Sequence, residues 1–519
     1  MKNRHLPKEW DLIIIGGGIT GAGIFRESVR MGLKVLLVEQ NDFSWGTSSR
    51  SSKLVHGGLR YLKEGHFKLT RDSVRERERL LKEAPGLVEP IRFLVPAYKG
   101  AKPGKVSFGI GLWIYDFIAH KKQHCYYGRK AFIRQSPHIN RTGLEGGFAF
   151  WDAQSDDTRL VIRLIQEAID SGGMALNYTA AREINRDARG RVSGLSIEDV
   201  DSGKTESLRS RAVINATGAW ADKLHPPPAD HLRLRPLRGS HLIFPQSLFN
   251  IDHGVSFAHP IDKRAVFLVP WDGVILVGTT DLDHRENLSR EPRITREEFS
   301  YLLEAVHTIF PELNITAGDC IGTLSGIRPV IGEGKQAPSS ESREHAVWKD
   351  KGLITVTGGK LTTFRLLAQH AINTAKPFLP PVSASVFQQP AFDTVPAKPN
   401  DDYGIHPGIW KRLYGRYGRG ADELMRMSTP ESRQLIPGTP IMWAEFPYAA
   451  KYERIRHLSD LLLRRVRIGL LTSQGGTEYI EPIRHLCQSV LPWDENRWLQ
   501  EIKMYRRQRR QAYGLPELG

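Results

Sequence analysis

The sequence predicts an α/β fold: a dinucleotide-binding unit interleaved with a second, mixed-sheet domain and followed by a helical C-terminal domain. Three observations carry this. A strand, a glycine-rich turn, a helix and a second strand open the chain, and an acid, Glu39, ends the unit. Two more strand-to-turn junctions, Ala216-Thr217-Gly218 and Gly358-Gly359-Lys360, stand far along the chain, as in a parallel sheet assembled from separate segments. Residues 401–519 read as helical and basic.

The first unit is the most explicit. Asp11–Ile15 reads as a buried strand, Gly16-Gly17-Gly18-Ile19-Thr20-Gly21 as the turn, and the helix runs to Met31 before the strand Lys34–Val38 and Glu39-Gln40. Gly16 permits the tight turn, Gly18 lets the backbone approach a pyrophosphate, and Gly21 lets helix and strand pack closely. The pyrophosphate sits on the helix N-terminus, where free N–H groups and the dipole favour negative charge. Glu39 accepts hydrogen bonds from ribose hydroxyls and disfavours a 2′-phosphate, so FAD or NAD is expected rather than NADP.

Ser44–Arg60 is a loop dense in Ser, Thr and Gly, and a charged helix follows over His66–Ala84. Its Arg71, Arg75, Glu76, Arg77, Glu78 and Arg79 read as a solvated face. Val106–Ala119 is apolar but short and contains Asp116; it reads as a core or interface helix, with a membrane-surface contact as the alternative. Thr158–Ser171 is an amphipathic helix, and 174–214 are short strands with turns at Ala188-Arg189-Gly190 and Asp201-Ser202-Gly203. Arg211–Asn215 runs into Ala216-Thr217-Gly218, where a second segment returns to the dinucleotide. Residues 231–280 alternate as an antiparallel sheet does, and Thr295-Arg296-Glu297-Glu298 is a capping box for a helix closed by Pro311. Leu353–Thr357 is a strand before Gly358-Gly359-Lys360 and a helix from Leu361, and Pro377–Asn400 is an aperiodic linker. The expected division is a dinucleotide domain from 1–80, 151–230 and 321–380, a substrate domain from 81–150 and 231–320, a linker at 381–400 and a helical cap at 401–519.

A chain of 519 residues exceeds one ordinary domain. Cys125, Cys320 and Cys487 supply neither a disulfide framework nor metal-ligand spacing; they read as small buried hydrophobes in a reducing cytoplasm, and no metal is expected. A net charge of +16 points to anionic partners: a phosphorylated substrate, an acidic membrane surface or nucleic acid. No recognition motif accompanies the charge, which disfavours nucleic acid. The polar opening segment is not a signal peptide, and no run is long and apolar enough to span a bilayer.

Several motifs then fall in a telling order. They are Gly16-Gly17-Gly18-Ile19-Thr20-Gly21-Ala22-Gly23, Thr47-Ser48-Ser49-Arg50-Ser51-Ser52-Lys53, His56-Gly57-Gly58-Leu59-Arg60-Tyr61-Leu62 and Ile214-Asn215-Ala216-Thr217-Gly218. Arg238-Gly239-Ser240-His241, Pro270-Trp271, Gly278-Thr279-Thr280-Asp281, Ser325-Gly326-Ile327-Arg328-Pro329 and Gly358-Gly359-Lys360-Leu361-Thr362-Thr363 follow. Together they resemble the FAD-dependent, quinone-linked glycerol-3-phosphate dehydrogenase family, and Leu461–Leu470 resembles its C-terminal cap. The resemblance implies a Rossmann-like FAD-binding domain with an interleaved mixed-sheet substrate domain, as in flavoproteins of the glutathione-reductase and D-amino-acid-oxidase type. It implies oxidation of sn-glycerol 3-phosphate to dihydroxyacetone phosphate. Dehydrogenase members sit on the inner face of the cytoplasmic membrane and reduce quinone; oxidase members reduce oxygen. The cytoplasm, with peripheral membrane attachment, is therefore the expected location.

In that reaction the flavin accepts a hydride from a secondary alcohol carbon whose hydroxyl loses a proton. A phosphate dianion calls for fixed cations, and Arg328, between Gly326 and Pro329, offers a planar fork on stiff backbone. By resemblance Arg328, Arg343 and Lys360 match the family's substrate-contacting cations, with Ser52, His56 and Arg60 beside them. His56, next to Arg60, is one candidate base and His241 the other. The cofactor-contacting set implied is Gly16, Gly18, Ile19, Thr20, Gly21, Glu39, Gln40, Thr47, Ser48, Ser49, Ser51, Ser52, Lys53, Ala216, Thr217, Gly218, Asp281, Gly359, Lys360, Leu361 and Thr362. Arg50 stands where family members often carry a smaller residue, and its role is open. The basic tail, with Arg464, Arg465, Arg467 and Tyr505-Arg506-Arg507-Gln508-Arg509-Arg510, reads either as a lipid-facing surface or as a solvated helical face.

Other readings stay open: glycerol-3-phosphate oxidase, an amino-acid-oxidase-like flavoenzyme, an NAD-dependent dehydrogenase, and a basic flavoprotein that binds anionic surfaces without catalysis. Quinone against oxygen is undecided by the residues, as is oligomeric state, a homodimer included.

Overall fold

Five parallel strands run side by side in the order Met174–Leu176, Val35–Val38, Glu9–Ile15, Thr205–Asn215 and Leu353–Gly358, with His345–Asp350 antiparallel at the edge. The computed structural model describes residues 6–63, 65–101, 104–119, 121, 123–227, 233–332, 341, 344–382, 387–396 and 403–517. Strand Glu9–Ile15 is buried on both faces, which is why it reads as an unbroken apolar run. Leu12 and Ile14 pack with helices Ile19–Arg30, Asp157–Asp170 and Phe364–Ala375, whereas Ile13 and Ile15 pack with the strands Val192–Asp199 and Thr205–Asn215. Segments remote in sequence thus end at one edge of one sheet, placing three turns together.

The second sheet is mostly antiparallel. Its strand Leu234–Pro245 lies between Gly322–Ile331 and Val274–Gly278, followed outward by Ala265–Trp271, Gly254–Ala258, Val88–Tyr98, Leu144–Ser155 and Cys125–Gly128. Helix Arg296–Ile309 packs over it, opened by the expected capping box of Thr295 and Glu298.

The C-terminal part is helical, including Pro407–Tyr417, Gly420–Met427, Glu445–Tyr452, Ile480–Cys487 and Glu495–Gln508. Here the basic tail divides: Arg506, Arg507 and Arg510 are exposed, as a solvated face requires, but the earlier arginines depart from expectation. Arg464, Arg465 and Arg467 are neither lipid-facing nor solvated but buried to within 1% exposure. Arg465 donates twice to Asp42, at 2.7 Å each, and Arg464 shares Asp42 and reaches Asp460 at 2.6 Å. Arg467 lies 3.4 Å from Asp157. Acids from the first domain neutralise these cations, and the apolar Leu461, Leu462 and Leu463 between them carry the segment inward. Arg159 with Glu453 at 2.7 Å and Arg416 with Asp156 at 2.8 Å extend the same interface.

Three smaller expectations are also corrected. Glu76 and Arg77 are buried rather than solvated, Arg77 donating to the Tyr115 hydroxyl at 2.8 Å and to Asp152 at 3.2 Å. Cys125 is exposed, while Cys320 and Cys487 are buried as read. Within the linker Pro377–Asn400, residues 383–386 and 397–400 lie outside the described residues, but Ala391 and Phe392 are buried in the first domain and Asp393 pairs with Arg26. Among the described residues no helix is long and apolar enough to cross a membrane.

Candidate active site

The glycine turn has the shape a dinucleotide pyrophosphate needs. Gly16 has φ +112°, and a Cβ there would stand 2.6 Å from the Ala216 carbonyl oxygen. Gly18 is the N-cap of helix Ile19–Arg30 and receives no side-chain cap. The Ile19 N–H donates to Ser48 Oγ at 2.9 Å, drawing the serine loop over the turn. Glu39 accepts from the Gly17 and Asn41 N–H groups at 2.8 and 2.9 Å, and burial pushes its carboxyl pKa up. Thr217 donates to Asn215 at 2.7 Å and Thr357 to the Gly218 carbonyl at 2.8 Å, so the second and third turns are bound to the same strand ends. The crevice that this strand order leaves at the carboxyl ends of its parallel strands, floored by a side-chain-free turn, fits FAD. The Gly16→Ala protein is expected to purify without flavin absorbance, since the left-handed φ alone costs about 1–3 kcal/mol and the backbone clash adds to it. A normal yellow spectrum from that variant would remove this turn from the cofactor site.

The loop Thr47–Lys53 is fixed from behind. Thr47 donates to the Ile327 carbonyl, and the Ser51 N–H and hydroxyl both reach Asp157, at 3.0 and 2.8 Å. Lys53, expected at the cofactor, is fully buried, and its ammonium is engaged by Asp157 at 2.8 Å and the Ser49 carbonyl at 3.0 Å. With no surface left for a ligand it is a loop anchor: Asp157 lies inside the protein and requires a cation. Burial and the neighbouring Arg467 bring its pKa down to about 8. Arg467 also donates to the Ser49 carbonyl at 3.2 Å. Arg50 now has a role: it donates to the Trp45 carbonyl at 3.2 Å, pairs with Glu291 and lies 5.2 Å from the Tyr513 ring centre. It ties the loop to the end of the chain.

Arg328 stands on strand Gly322–Ile331 with its guanidinium held from the turn that follows strand Val274–Gly278. It donates to the Thr280 carbonyl at 3.1 Å, to Asp281 at 3.0 Å and to Thr279 Oγ1 at 2.9 Å, and 29% of its side chain stays exposed. The guanidinium lies across Gly239, where a Cβ would be 2.4 Å from Nη2, so a side chain there would displace the guanidinium from this position. Behind this turn Glu298 is buried and accepts from Ser240 at 2.9 Å, Thr280 at 2.6 Å and Arg238 at 3.0 Å. Sequence reasoning saw Glu298 only as half of a capping box; its second task has no local signature.

His241 meets Ser52 Oγ through Nε2 at 2.8 Å. Burial, with Arg328 and Lys53 nearby, pushes the imidazole down to about 3, so it is neutral at any working pH. Four residues beyond Ser52, the His56 ring stacks with Tyr61 at 6.1 Å. Lys360 Nζ lies 3.4 Å from the Tyr61 ring centre and 3.2 Å from Ser73 Oγ, and Thr362 donates to the His56 carbonyl at 3.3 Å. One short segment, Ser52–Gly58, therefore joins the Arg328–His241 group to the His56–Lys360 group. Tyr61 and Ser73 were not singled out from the sequence as site residues. Arg343 and the side chain of Arg60 lie outside the described residues.

This crevice and its flanking polar sheet define a FAD-dependent oxidoreductase. Residues 11–371 match the family model described as FAD dependent oxidoreductase, and residues 384–498 match the C-terminal domain of alpha-glycerophosphate oxidase. The chain is 34% identical to the aerobic glycerol-3-phosphate dehydrogenase of Bacillus subtilis (strain 168), over 94% of this chain and 92% of that protein. Its fold matches the glycerol-3-phosphate dehydrogenase from Bacillus halodurans complexed with FAD, with a TM-score of 0.76, 25% identity and coverage of 97% and 95%. L-alpha-glycerophosphate oxidase from Mycoplasma pneumoniae shares the fold over 71% of this chain and 95% of that one, with a TM-score of 0.58 and 19% identity. The chain belongs to the aerobic glycerol-3-phosphate dehydrogenase family, and it is a FAD enzyme.

Proposed function

We propose that this protein oxidises sn-glycerol 3-phosphate to dihydroxyacetone phosphate and hands the electrons to a quinone at the inner face of the cytoplasmic membrane. The observation that carries the substrate reading is Arg328, a guanidinium preorganised by the Thr280 carbonyl, Asp281 and Thr279 beside the serine loop and His241. FAD, when bound in the crevice, accepts the hydride from the alcohol carbon. Arg328 and Lys360, with Arg343 as the third cation of the motif set, hold the phosphate and set the carbon's position. His56 takes the hydroxyl proton. His241, at about 3, is too weak a base near neutral pH and instead orients Ser52.

Glycerol 3-phosphate added without oxygen should bleach the yellow protein, and a quinone should restore the colour faster than air does. Bleaching by an amino acid and not by glycerol 3-phosphate would overturn the proposal. Oxygen as acceptor is the second reading, favoured by the match of residues 384–498 to the C-terminal domain of alpha-glycerophosphate oxidase. His56→Gln should lower kcat by about 10²–10⁴-fold and abolish the rise of rate with pH that marks loss of a proton from the base. An unaltered pH–rate profile would eliminate His56.

A further inference from the structure

We infer that helix Lys105–Ala119 is a docking element that lies flat in an anionic lipid surface. The inference rests on the membrane-linked reading above for its purpose, while its test measures lipid binding alone. Val106, Ile110, Trp113 and Phe117 are 74%, 55%, 63% and 69% exposed. At 3.6 residues per turn they fall within an arc of about 60°. Trp113 and Phe117 stack at 6.1 Å, making one aromatic surface. The opposite face is buried through Leu112, Tyr115 and Ala119.

The acid that made this run ambiguous in the sequence points inward. Asp116 is buried and accepts from the Gln123 and His124 N–H groups at 2.9 and 3.2 Å, with His124 Nδ1 at 2.6 Å. It is the helix's one acidic residue, so the outer arc carries none. Exposed lysines flank the helix in sequence: Lys99 in the preceding turn, Lys105 at the first position with its ammonium 3.9 Å from the Tyr126 ring centre, and Lys121 beyond the last, also paired with Glu78. Fifteen residues span about 22 Å, short of the roughly 30 Å hydrocarbon core, so the helix is suited to the interface plane. An apolar arc with basic ends suits lipid tails under anionic headgroups. A second copy would instead set like-charged rims of a +16 chain against each other. The buried side of the helix also reaches the site: the Tyr115 hydroxyl packs against Gly57, where a Cβ would stand 2.0 Å from it. A lipid-dissolved acceptor would therefore arrive close behind the segment that carries His56.

The test is sedimentation of the flavin-loaded protein with phosphatidylcholine vesicles, with and without phosphatidylglycerol. The unaltered protein should bind the phosphatidylglycerol vesicles, and W113E/F117E should bind them at least about tenfold less while oxidising substrate normally with a water-soluble dye. Because that double variant adds charge, a second measurement uses W113F: brominated-acyl phosphatidylglycerol should quench a Trp emission component present in the unaltered protein and missing from W113F. Equal vesicle binding by the double variant, no binding by the unaltered protein, or quenching that W113F does not reduce would each overturn the inference. A dimer that W113E/F117E converts to monomer, with no vesicle binding, would assign the face to a second copy instead. Loss of substrate oxidation by the unaltered protein would count against the proposed function and leave the vesicle result standing.

Discussion

Replacing Arg328 by alanine should raise the KM for glycerol 3-phosphate by about 10²-fold or more while the protein remains yellow. The magnitude follows from what a guanidinium does for a phosphate. Each charge-assisted hydrogen bond is worth about 1.5–3 kcal/mol, and a planar fork makes two at once. The Thr280 carbonyl, Thr279 hydroxyl and Asp281 carboxylate already fix the group, so little entropy is lost when substrate arrives. Flavin should stay bound, because the glycine turn, Glu39 and Ser48 hold one another without Arg328. The alternative is that Arg328 merely neutralises Asp281, which is buried and has Arg264 at 3.7 Å as a further cation. The variant Arg328→Ala/Asp281→Asn separates the two roles. A phosphate ligand predicts that the KM defect persists in the double variant; a structural counter-ion predicts that it is relieved. Unchanged KM in Arg328→Ala would take Arg328 out of the site.

The parts of this molecule that sequence reveals are those whose physics is local. The opening unit is legible because its strand is apolar on both faces and its turn excludes side chains at Gly16, both properties of consecutive residues. The capping box at Thr295 is legible for the same reason. Residues whose partners are distant in sequence are misread in a consistent direction. Arg464, Arg465, Arg467 and Arg77 look like solvent-facing charge because a guanidinium is costly to bury, and nothing nearby in sequence shows that Asp42, Asp157 or Asp152 will meet it. Lys53 reads as a cofactor contact because it closes a hydroxyl-rich loop that resembles the family's, yet Asp157 engages it from a helix about a hundred residues on. Asp116 misled in the opposite sense: an acid within an apolar run argued against a lipid-facing helix, and only the fold shows that it points to the other side. The active site is intermediate. The motif order brought out Arg328, Lys360, His56 and His241, but the Glu298 network that fixes the Arg328 turn depends on pairing among three strands and a helix.

The cap interface yields the largest expected stability effect. Asp42→Asn should destabilise the protein by about 3–5 kcal/mol. Asp42 is fully buried and is the shared anion of two buried arginines, so the substitution leaves Arg465 without a carboxylate hydrogen-bonded to it and Arg464 with Asp460 alone. Burial by itself would raise the Asp42 pKa, but Arg465 and Arg464 outweigh it and hold the carboxyl at about 2. Because this value lies below the unfolded one near 3.9, the unfolded chain binds the proton more readily. The stabilisation is then present above roughly pH 4 and is lost as pH falls through roughly pH 2. Asp42→Asn should therefore shift the denaturant midpoint strongly at neutral pH and less at the acid end of that window. The same segment carries Arg467, which bonds the Ser49 carbonyl in the loop over the glycine turn. Loosening the cap should thus loosen the loop, and flavin release should coincide with the lowered transition. A variant with the ordinary midpoint and ordinary flavin retention would show that the buried arginines find compensation elsewhere, and that the cap does not support the site.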